Sequence, residues 1–274
     1  MKPAYGNLRQ PGFTLIELLV ALFIFLVITG AAFTLLGSSQ KHYQTESQVL
    51  TSFQEARLGL DQIVRDVNDA GFPPPTFSDG IAAHANRYAS SPFAWSSGYP
   101  NTPCLLGPYG GGTCSNIPGA FDIIIETNPN PDLSSRVQWI RYKLQGTTLM
   151  RGVVNKTPGD DPVSDTSAAG ILVPFVENVV NQASAPQIAQ YQAAYPGMFP
   201  GGVPVPIFTY ICDTPTTPQF PAPSCANAIT DNSPANIRDV TVTLIVAAPL
   251  PDATSGHLRL VMLNGRGRRV NPKQ

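Results

Sequence analysis

Residues 13–36 read FTLIELLVALFIFLVITGAAFTLL, in which Glu17 is the one ionisable side chain. A helix rises about 1.5 Å per residue, so about 20 apolar residues cross the hydrocarbon core of a bilayer. The run is therefore long enough to span a membrane. The preceding residues 1–12 carry Lys2 and Arg9 and no acid. By the positive-inside bias, this segment stays cytoplasmic and the rest of the chain is exported.

Two simpler explanations of this run fit less well. An ordinary secretory signal has an apolar region of about 7 to 15 residues and a small-residue cleavage site, whereas this run is longer and leads into a polar helix. A plain membrane anchor fits the hydropathy but gives no reason for Glu17. An ionisable group in a spanning segment costs several kcal/mol unless it is paired, so Glu17 indicates a function more than a tolerated side chain facing lipid.

The string GFTLIELLVAL at residues 12–22 resembles the class III signal of type IV prepilins and type II secretion pseudopilins. The resemblance implies that a prepilin peptidase cuts between Gly12 and Phe13, that Phe13 becomes the methylated amino terminus, and that residues 1–12 are a cleaved leader. Glu17 then occupies the place where the family keeps its glutamate. The freed amine of a neighbouring Phe13 is a nearby cation once helices pack side by side, so we expect Glu17 to set the register between subunits.

The helix is expected to continue beyond the membrane span, because no proline occurs between Phe13 and Phe72. Gly71 and the following prolines predict a stop after about Ala70. In the continuation, residues 37–71, one stripe of apolar side chains is predicted to pack against a globular head: Val49, Phe53, Ala56, Leu60, Ile63 and Val67. Four charged residues fall off that stripe, of which the Asp61 and Arg65 pair is predicted to be solvated: Arg57, Asp61, Arg65 and Asp66.

The exported residues 72–274 combine strand-like segments with Gly-, Ser- and Pro-rich stretches at about 73–120 and 183–234. Apolar residues alternate with polar ones in several segments, for example Ile140, Tyr142 and Leu144 with Arg141 and Lys143, which is typical of a strand with one buried face. Gly146 indicates a hairpin, and the last two segments suggest another. The predicted strands are 121–127, 137–145, 147–153, 171–180, 207–212, 237–247 and 257–264.

These elements predict an α+β fold in which one long helix packs on an antiparallel β-sheet head with long Pro- and Gly-rich loops, the type IV pilin-like architecture. A finer resemblance is carried by residues 56–72, by Tyr142 with Leu149 and Arg151, and by the closing residues 261–264. These segments resemble PilW-type minor pilins and the related pseudopilin J proteins. The chain departs from that pattern at Leu263, where an Arg is common. It also lacks the proline that kinks this helix in many major pilins.

All four cysteines lie in the exported part. Oxidising surroundings make two local disulfides, Cys104 with Cys114 and Cys212 with Cys225, the expected pairing among three connectivities. Each loop would contribute about 2 to 3 kcal/mol. A metal site is the alternative, but no CxxC pair or suitable His stands nearby, and we expect no metal site and no cofactor.

Three groups of residues, one acidic, one basic and one aromatic, are candidate functional sites. Asp160, Asp161 and Asp165 could bind calcium, but a solvated turn is favoured because the spacing of a calcium loop is missing. Arg266, Arg268, Arg269 and Lys273 could meet DNA or an acidic partner, but a solvated basic tail is favoured because the net charge of the chain is −1. Four aromatic residues could form an adhesive face, but anchoring of a long loop is favoured: Tyr191, Tyr195, Phe199 and Phe208.

No nucleophile elbow GxSxG, HExxH or phosphate-binding glycine loop occurs, so we predict that the protein is not an enzyme. The resemblance implies a minor pilin that acts in the assembly of type IV pili, with the pilus tip as a candidate location, and hence in twitching motility. It also implies that the protein is anchored in the inner membrane, with its head in the periplasm and later on the cell surface. The implied partners are prepilin peptidase, the major pilin, other minor pilins and the inner-membrane assembly platform, while nucleic acid is disfavoured. A type II secretion pseudopilin and a tip adhesin or DNA-binding module are the alternatives.

Overall fold

The computed structural model describes residues 12–74, 87–95, 118–129, 136–157, 161–212, 234–252 and 256–270. Within them, helix α1 spans Leu15–Asn68, which confirms the predicted long helix to within about two residues at each end. Its end follows the predicted stop signal. Gly71 has a φ of +80°, and its N–H donates to the carbonyl of Glu126 at 2.8 Å, so the chain leaves the helix in a turn that glycine adopts without strain.

The chain divides into two compact units, Met1–Ser47 and Gln48–Gln274. The described part of the first unit is helical from Leu15 onward. The second unit holds the end of α1 and two antiparallel sheets, where a single mainly antiparallel sheet was predicted. The larger sheet has the order β1-β2-β3-β4-β5 and the smaller one the order β6-β7-β8.

The strands of the larger sheet are β1 (Phe93–Ala94), β2 (Asp122–Thr127), β3 (Gln138–Gln145), β4 (Thr148–Asn155) and β5 (Val173–Val176). Those of the smaller sheet are β6 (Phe208–Cys212), β7 (Ile237–Pro251) and β8 (Leu258–Arg268). The predicted strands therefore exist, although β5 is shorter and β8 longer than expected. Strand β1 was not predicted, because two residues give no periodic signal.

Both predicted hairpins are present. Gln145 pairs with Thr148 across a two-residue turn in which Gly146 has a φ of +60°, the conformation that such turns favour. Strands β7 and β8 pair along most of their length. Between the sheets, Val179 forms an isolated antiparallel bridge with Val246, so the segment that follows β5 also bonds to β7. This bridge links the two sheets into one head.

The core lies between the end of α1 and both sheets. Every residue of the predicted apolar stripe is buried except Phe53, which is half-buried and packs on the same core. The stripe meets Ile140 and Tyr142 of β3 together with Val240 and Val242 of β7. The predicted packing of the helix continuation against the head is therefore confirmed. Burial of this apolar area is what holds α1 to the head.

Two further helices, α2 (Pro162–Thr166) and α3 (Ala185–Ala194), were not predicted. Helix α3 falls in a stretch that the sequence analysis assigned to a Pro-rich loop. Its amino terminus carries a capping box, in which Ser184 and the Gln187 side chain satisfy each other, with Pro in the first turn. The Ser-x-x-Gln spacing followed by helix-forming residues was the sequence signal that could have found it.

Candidate functional site

The amino terminus of α1 is closed by a reciprocal pair of side chains. The N–H and the hydroxyl of Thr14 both donate to Oε2 of Glu17, at 2.9 and 2.8 Å. The carbonyl of Thr14 accepts the helical hydrogen bond from the N–H of Leu18, so Thr14 is the N-cap residue and Glu17 lies in the first turn. A carboxylate here also meets the positive end of the helix dipole. The Thr-x-x-Glu spacing at residues 14–17 is the sequence signal that could have predicted this cap.

The membrane-length part of α1 presents its apolar side chains outward along the whole of its surface. Every large apolar residue from Phe13 to Leu36 that the structure describes is more than half exposed. This is the one helix among the described residues that is long and apolar enough to cross a membrane. One such helix near the amino terminus fits a single-pass membrane anchor. So much apolar surface is not stable in water and requires lipid or another protein chain around it.

The comparison with known families bears on this same stretch. Residues 7–33 match the family model of the prokaryotic N-terminal methylation motif. The chain has a prepilin-type amino terminus. The motif supports membership of the prepilin superfamily and implies processing by prepilin peptidase and pilus-type partners in general. No curated protein and no solved structure shows significant similarity to the chain.

The two residues at the predicted cleavage point of the prepilin-type motif lie on accessible backbone. Gly12 and Phe13 precede α1 in a segment without regular structure, and Phe13 is 89% exposed. A Cβ added at Gly12 would meet no atom of the described residues within 4 Å. The leader residues before Gly12 lie outside the described residues. Cleavage after Gly12, methylation of Phe13 and a register role for Glu17 stay predictions.

A buried polar cluster connects the end of α1 to the β3–β4 hairpin. The Tyr142 hydroxyl donates to Oδ2 of Asp66 at 2.5 Å, and Arg151 donates to both, at 2.9 Å to the phenol oxygen and 3.2 Å to the carboxylate. The Arg151 guanidinium also lies 5.7 Å from the centre of the Tyr142 ring. Burial and the Asp66 charge raise the pKa of Tyr142, so its phenol stays a donor. Asp66 lies outside the apolar stripe of the sequence but is buried, and these hydrogen bonds satisfy its carboxylate there.

Arg141 departs from the simple alternation expected for β3, in which its side chain would face solvent. It stands among the predicted outward residues of that strand but is only 2% exposed. Its guanidinium makes two hydrogen bonds to the carboxylate of Asp122, at 2.9 and 2.6 Å, and it also donates to the Val163 carbonyl of α2. Helix α2 therefore covers this face of the sheet. Nearby, the buried Lys156 pairs with Glu126 at 2.6 Å.

The prediction of a solvated basic tail is wrong for most of its residues, which are ordered in the head. Arg266 and Arg268 belong to β8, which extends to residue 268 because it keeps pairing with β7. Arg266 donates to the buried carboxylate of Asp239 at 2.8 Å, and Arg238 donates to the same oxygen at 2.9 Å. Burial disfavours the charged form of Asp239, but these two guanidiniums outweigh it and hold its pKa below the ordinary value. Arg269 is buried, and Lys273 lies outside the described residues.

The acidic and aromatic patterns have structural roles where they are described. Asp161 caps α2, since its Oδ1 accepts the N–H of Val163 at 3.0 Å, rather than lying in a free solvated turn. Asp160 lies outside the described residues. No group of three or more His, Cys, Asp or Glu side chains arranged for a metal ion occurs in the part of the chain that the structure describes. Phe199 is buried and Tyr191 stacks on it, which fits the anchoring interpretation for these two, whereas Phe208 is a core residue of strand β6 and not of a loop.

Cysteine pairing is described at one position. Cys212, at the end of β6, is buried and disulfide-bonded. Cys104, Cys114 and Cys225 lie outside the described residues. The predicted pairing of all four cysteines therefore stays a prediction.

Proposed function

We propose that this chain is a minor pilin that takes part in initiating type IV pilus assembly and is carried at the pilus tip, with no enzymatic activity. The observation that carries the proposal is the exposed apolar half of α1, which begins with a prepilin-type motif at residues 7–33. In lipid this surface is stable as an anchor. In a filament the same surface is covered by the corresponding helices of other subunits.

The position at the tip is supported by the size of the head. Among the described residues after α1, the head forms two sheets and two further α-helices, and Pro-rich sequence separates some of these elements. A subunit within a filament shaft has neighbours above and below, which limits the volume of its head, whereas a tip subunit has neighbours on one side. The absence of proline from Phe13 to Phe72 also departs from many main shaft subunits, whose helix is kinked.

Glu17 is proposed to select the register of incorporation. In the single chain its carboxylate is held by Thr14 and lies on an exposed surface. When helices pack in hydrocarbon, water no longer solvates this carboxylate, and a cation becomes the favourable partner. Cleavage after Gly12 creates such a cation at the amino terminus of Phe13. Pairing between the Phe13 amine of one subunit and Glu17 of the next fixes their axial offset.

The test is a gene deletion complemented with the intact chain, with the Glu17→Ala variant, or with Glu55→Ala as a matched control on the exposed face of α1. Pilin sheared from the cell surface and proteins secreted into the medium are both quantified. We expect deletion to remove most surface pilin, Glu55→Ala to restore it, and Glu17→Ala to stay in the membrane but restore little.

The type II secretion pseudopilin is the alternative that the same motif supports. Loss of secreted proteins with unchanged surface pilin after deletion would establish that alternative and overturn the pilus proposal. Full restoration of surface pilin by Glu17→Ala would leave the minor pilin role standing but refute the pairing of Glu17 with the Phe13 amine.

A further inference from the structure

A cleft of about 260 Å³ lies between α3 and the start of β8. The lining side chains that carry the argument are Gln187, Gln190 and Tyr191 on one face of α3, Tyr195 directly after that helix, His257 before β8, and Leu258, the first residue of β8. Nothing in the assembly role proposed above uses these residues. All the residues that line the cleft belong to the head.

The α3 wall is fixed by contacts behind it. Tyr191 stacks on the buried ring of Phe199, with 5.8 Å between ring centres and 19° between the planes. Gln192 donates to the carbonyl of Phe199, which ties the following loop back to the helix. Gln187 accepts from the N–H and hydroxyl of Ser184, which holds its side chain in place. The wall is therefore ordered before any ligand arrives, which lowers the cost of binding.

The opposite wall is fixed by the turn between β7 and β8. Arg259 donates to the carboxylate of Asp252, and the N–H of Asp252 donates to the carbonyl of His257 at 2.9 Å. Gly256 has a φ of +70° and donates to the carbonyl of Asp252 at 2.8 Å, which closes the turn. These bonds place His257 and Leu258 across the cleft from the tyrosines.

The described lining is polar and aromatic. None of the described residues that line the cleft carries a carboxylate, ammonium or guanidinium group. The phenols of Tyr191 and Tyr195 make no hydrogen bond within the described part of the chain, and Gln190 is exposed. Phenol and amide groups both donate and accept hydrogen bonds, while the aromatic rings and Leu258 supply apolar surface.

We propose that this cleft is a binding site for a neutral saccharide. The hydroxyls of a sugar ring need donors and acceptors close together, and its C–H faces need apolar or aromatic surface, which is the combination found here. A phosphate or sugar acid would instead favour a lysine or arginine, and among the described residues neither type lines the cleft. This part of the inference rests on the proposed function: because the head is then carried outside the cytoplasmic membrane, the ligand is a neutral glycan that lies outside that membrane.

The experiment uses the full chain in a detergent without a sugar headgroup, so that the detergent does not compete for the site. N-acetylglucosamine and galactose are the neutral probes, and glucuronic acid is the charged one. Binding is followed by saturation-transfer difference NMR on the sugar signals. We expect a neutral sugar to bind with millimolar affinity and glucuronic acid to bind at least several-fold more weakly.

The cleft variants are Gln190→Ala and Tyr195→Ala, each expected to weaken binding by about fivefold to tenfold through the loss of one hydrogen-bonding or ring contact. Gln190→Ala replaces an exposed helical residue by a better helix former, so its fold is expected to survive, and unchanged thermal unfolding checks this. Tyr43→Ala and Gln44→Ala, exposed on α1, are the matched controls and are expected to bind as the parent chain does.

Three results would overturn the proposal. These are no saturation transfer to either neutral sugar at tens of millimolar concentration, equal binding by the folded Gln190→Ala variant and the parent chain, or preferential binding of glucuronic acid. Pilus assembly is not a readout in this experiment, so failure of the saccharide site and failure of the assembly role are distinguished.

Discussion

Gly267 of β8 lies so close to Val67 of α1 that a Cβ added to the glycine would be 2.5 Å from Cγ1 of the valine. The absence of a side chain at this point is what allows the strand to approach the helix. Gly265, two residues earlier on the same face, has the same role, because its added Cβ would be 2.8 Å from Cγ2 of Val64. The alternating glycines near the carboxyl end of the chain thus form a seam against α1.

Gly267→Ala is expected to destabilise the head by about 1 to 3 kcal/mol, because the helix or the strand must shift to make room. Denaturant unfolding of the full chain in detergent measures this loss, with the fluorescence of the buried Trp95 and Trp139 as the signal. Gly197→Ala is the control, since an added Cβ there meets no atom of the described head within 4 Å. Equal stability of the two variants would contradict the close approach.

Tyr142→Phe removes one hydrogen bond to the buried carboxylate of Asp66 while keeping the aromatic ring. We expect a loss of about 1 to 3 kcal/mol, because Asp66 is then less well satisfied in a buried place. Thermal or denaturant unfolding of the full chain provides the measurement. Tyr43→Phe, at a tyrosine that is 74% exposed, is the control and is expected to change nothing. A Tyr142→Phe protein as stable as the parent would show that the remaining donors, Gln62 and Arg151, satisfy the carboxylate.

Asp239 is expected to make the head less stable in acid. Its folded pKa lies below the ordinary value of 3.8, because hydrogen bonds from Arg266 and Arg238 outweigh burial. The stabilisation by Asp239 is therefore complete above that ordinary value and is lost as the pH falls through the folded pKa. The difference in unfolding free energy between the parent and Asp239→Asn should be largest near neutral pH and shrink as the pH falls below about 4. A pH-independent difference would refute this linkage.

Asp122 is expected to change the stability of the head with pH in the opposite direction to Asp239. Burial raises its pKa above the ordinary value of 3.8, and the hydrogen bonds and charge of Arg141 only partly offset the effect. Ionisation of Asp122 therefore costs stability as the pH rises from the unfolded to the folded pKa. In the parent chain, Asp122 lowers stability as the pH rises, and Asp122→Asn should abolish that decrease. Asp239 raises stability as the pH rises, and Asp239→Asn should abolish that increase. Urea unfolding of both variants across the acid range measures the two slopes, and slopes of the same sign would contradict the prediction.

Gly12→Val is expected to block processing of the prepilin-type amino terminus without disturbing the fold. The structure leaves open space around the Gly12 Cα, so the added side chain meets no atom of the described chain. Intact-mass measurement should show a parent chain that begins with a methylated Phe13 and a variant that retains residues 1–12. A normally cleaved variant would show that the peptidase does not require glycine at this point.

The cysteine pairing is tested by peptide mapping without reduction of protein recovered from the cell surface. We expect peptides that link Cys212 to Cys225 and Cys104 to Cys114, each loop contributing about 2 to 3 kcal/mol. Cys212→Ala should then leave Cys225 as a free thiol while the other link persists. A peptide that joins Cys212 to Cys104 or Cys114 would refute the local pairing.

Much of the architecture could be read from residue patterns, because the signals were local and repeated. The apolar stripe from Val49 to Val67 recurs with the helical period, and the alternation in β3 and β7 has the period of a strand. Gly71 and Gly146 mark the end of α1 and the first hairpin because both adopt a positive φ. Helix α3 was missed although its Ser184 capping box is also a local signal, since the surrounding prolines pointed to a loop.

The apolar amino-terminal run with Glu17, the long helix and the strands after it follow from local sequence patterns. The burial of Asp66 and Arg141, the pairing of Arg266 with Asp239, and the cleft between α3 and His257 are visible only in the folded head. The two groups of features differ in the sequence separation over which their interactions act. Periodicity and turn chemistry act between residues that are neighbours in the chain. Burial of a charge depends on a partner from a distant segment, as when Tyr142 and Arg151 of the hairpin meet Asp66 of the helix.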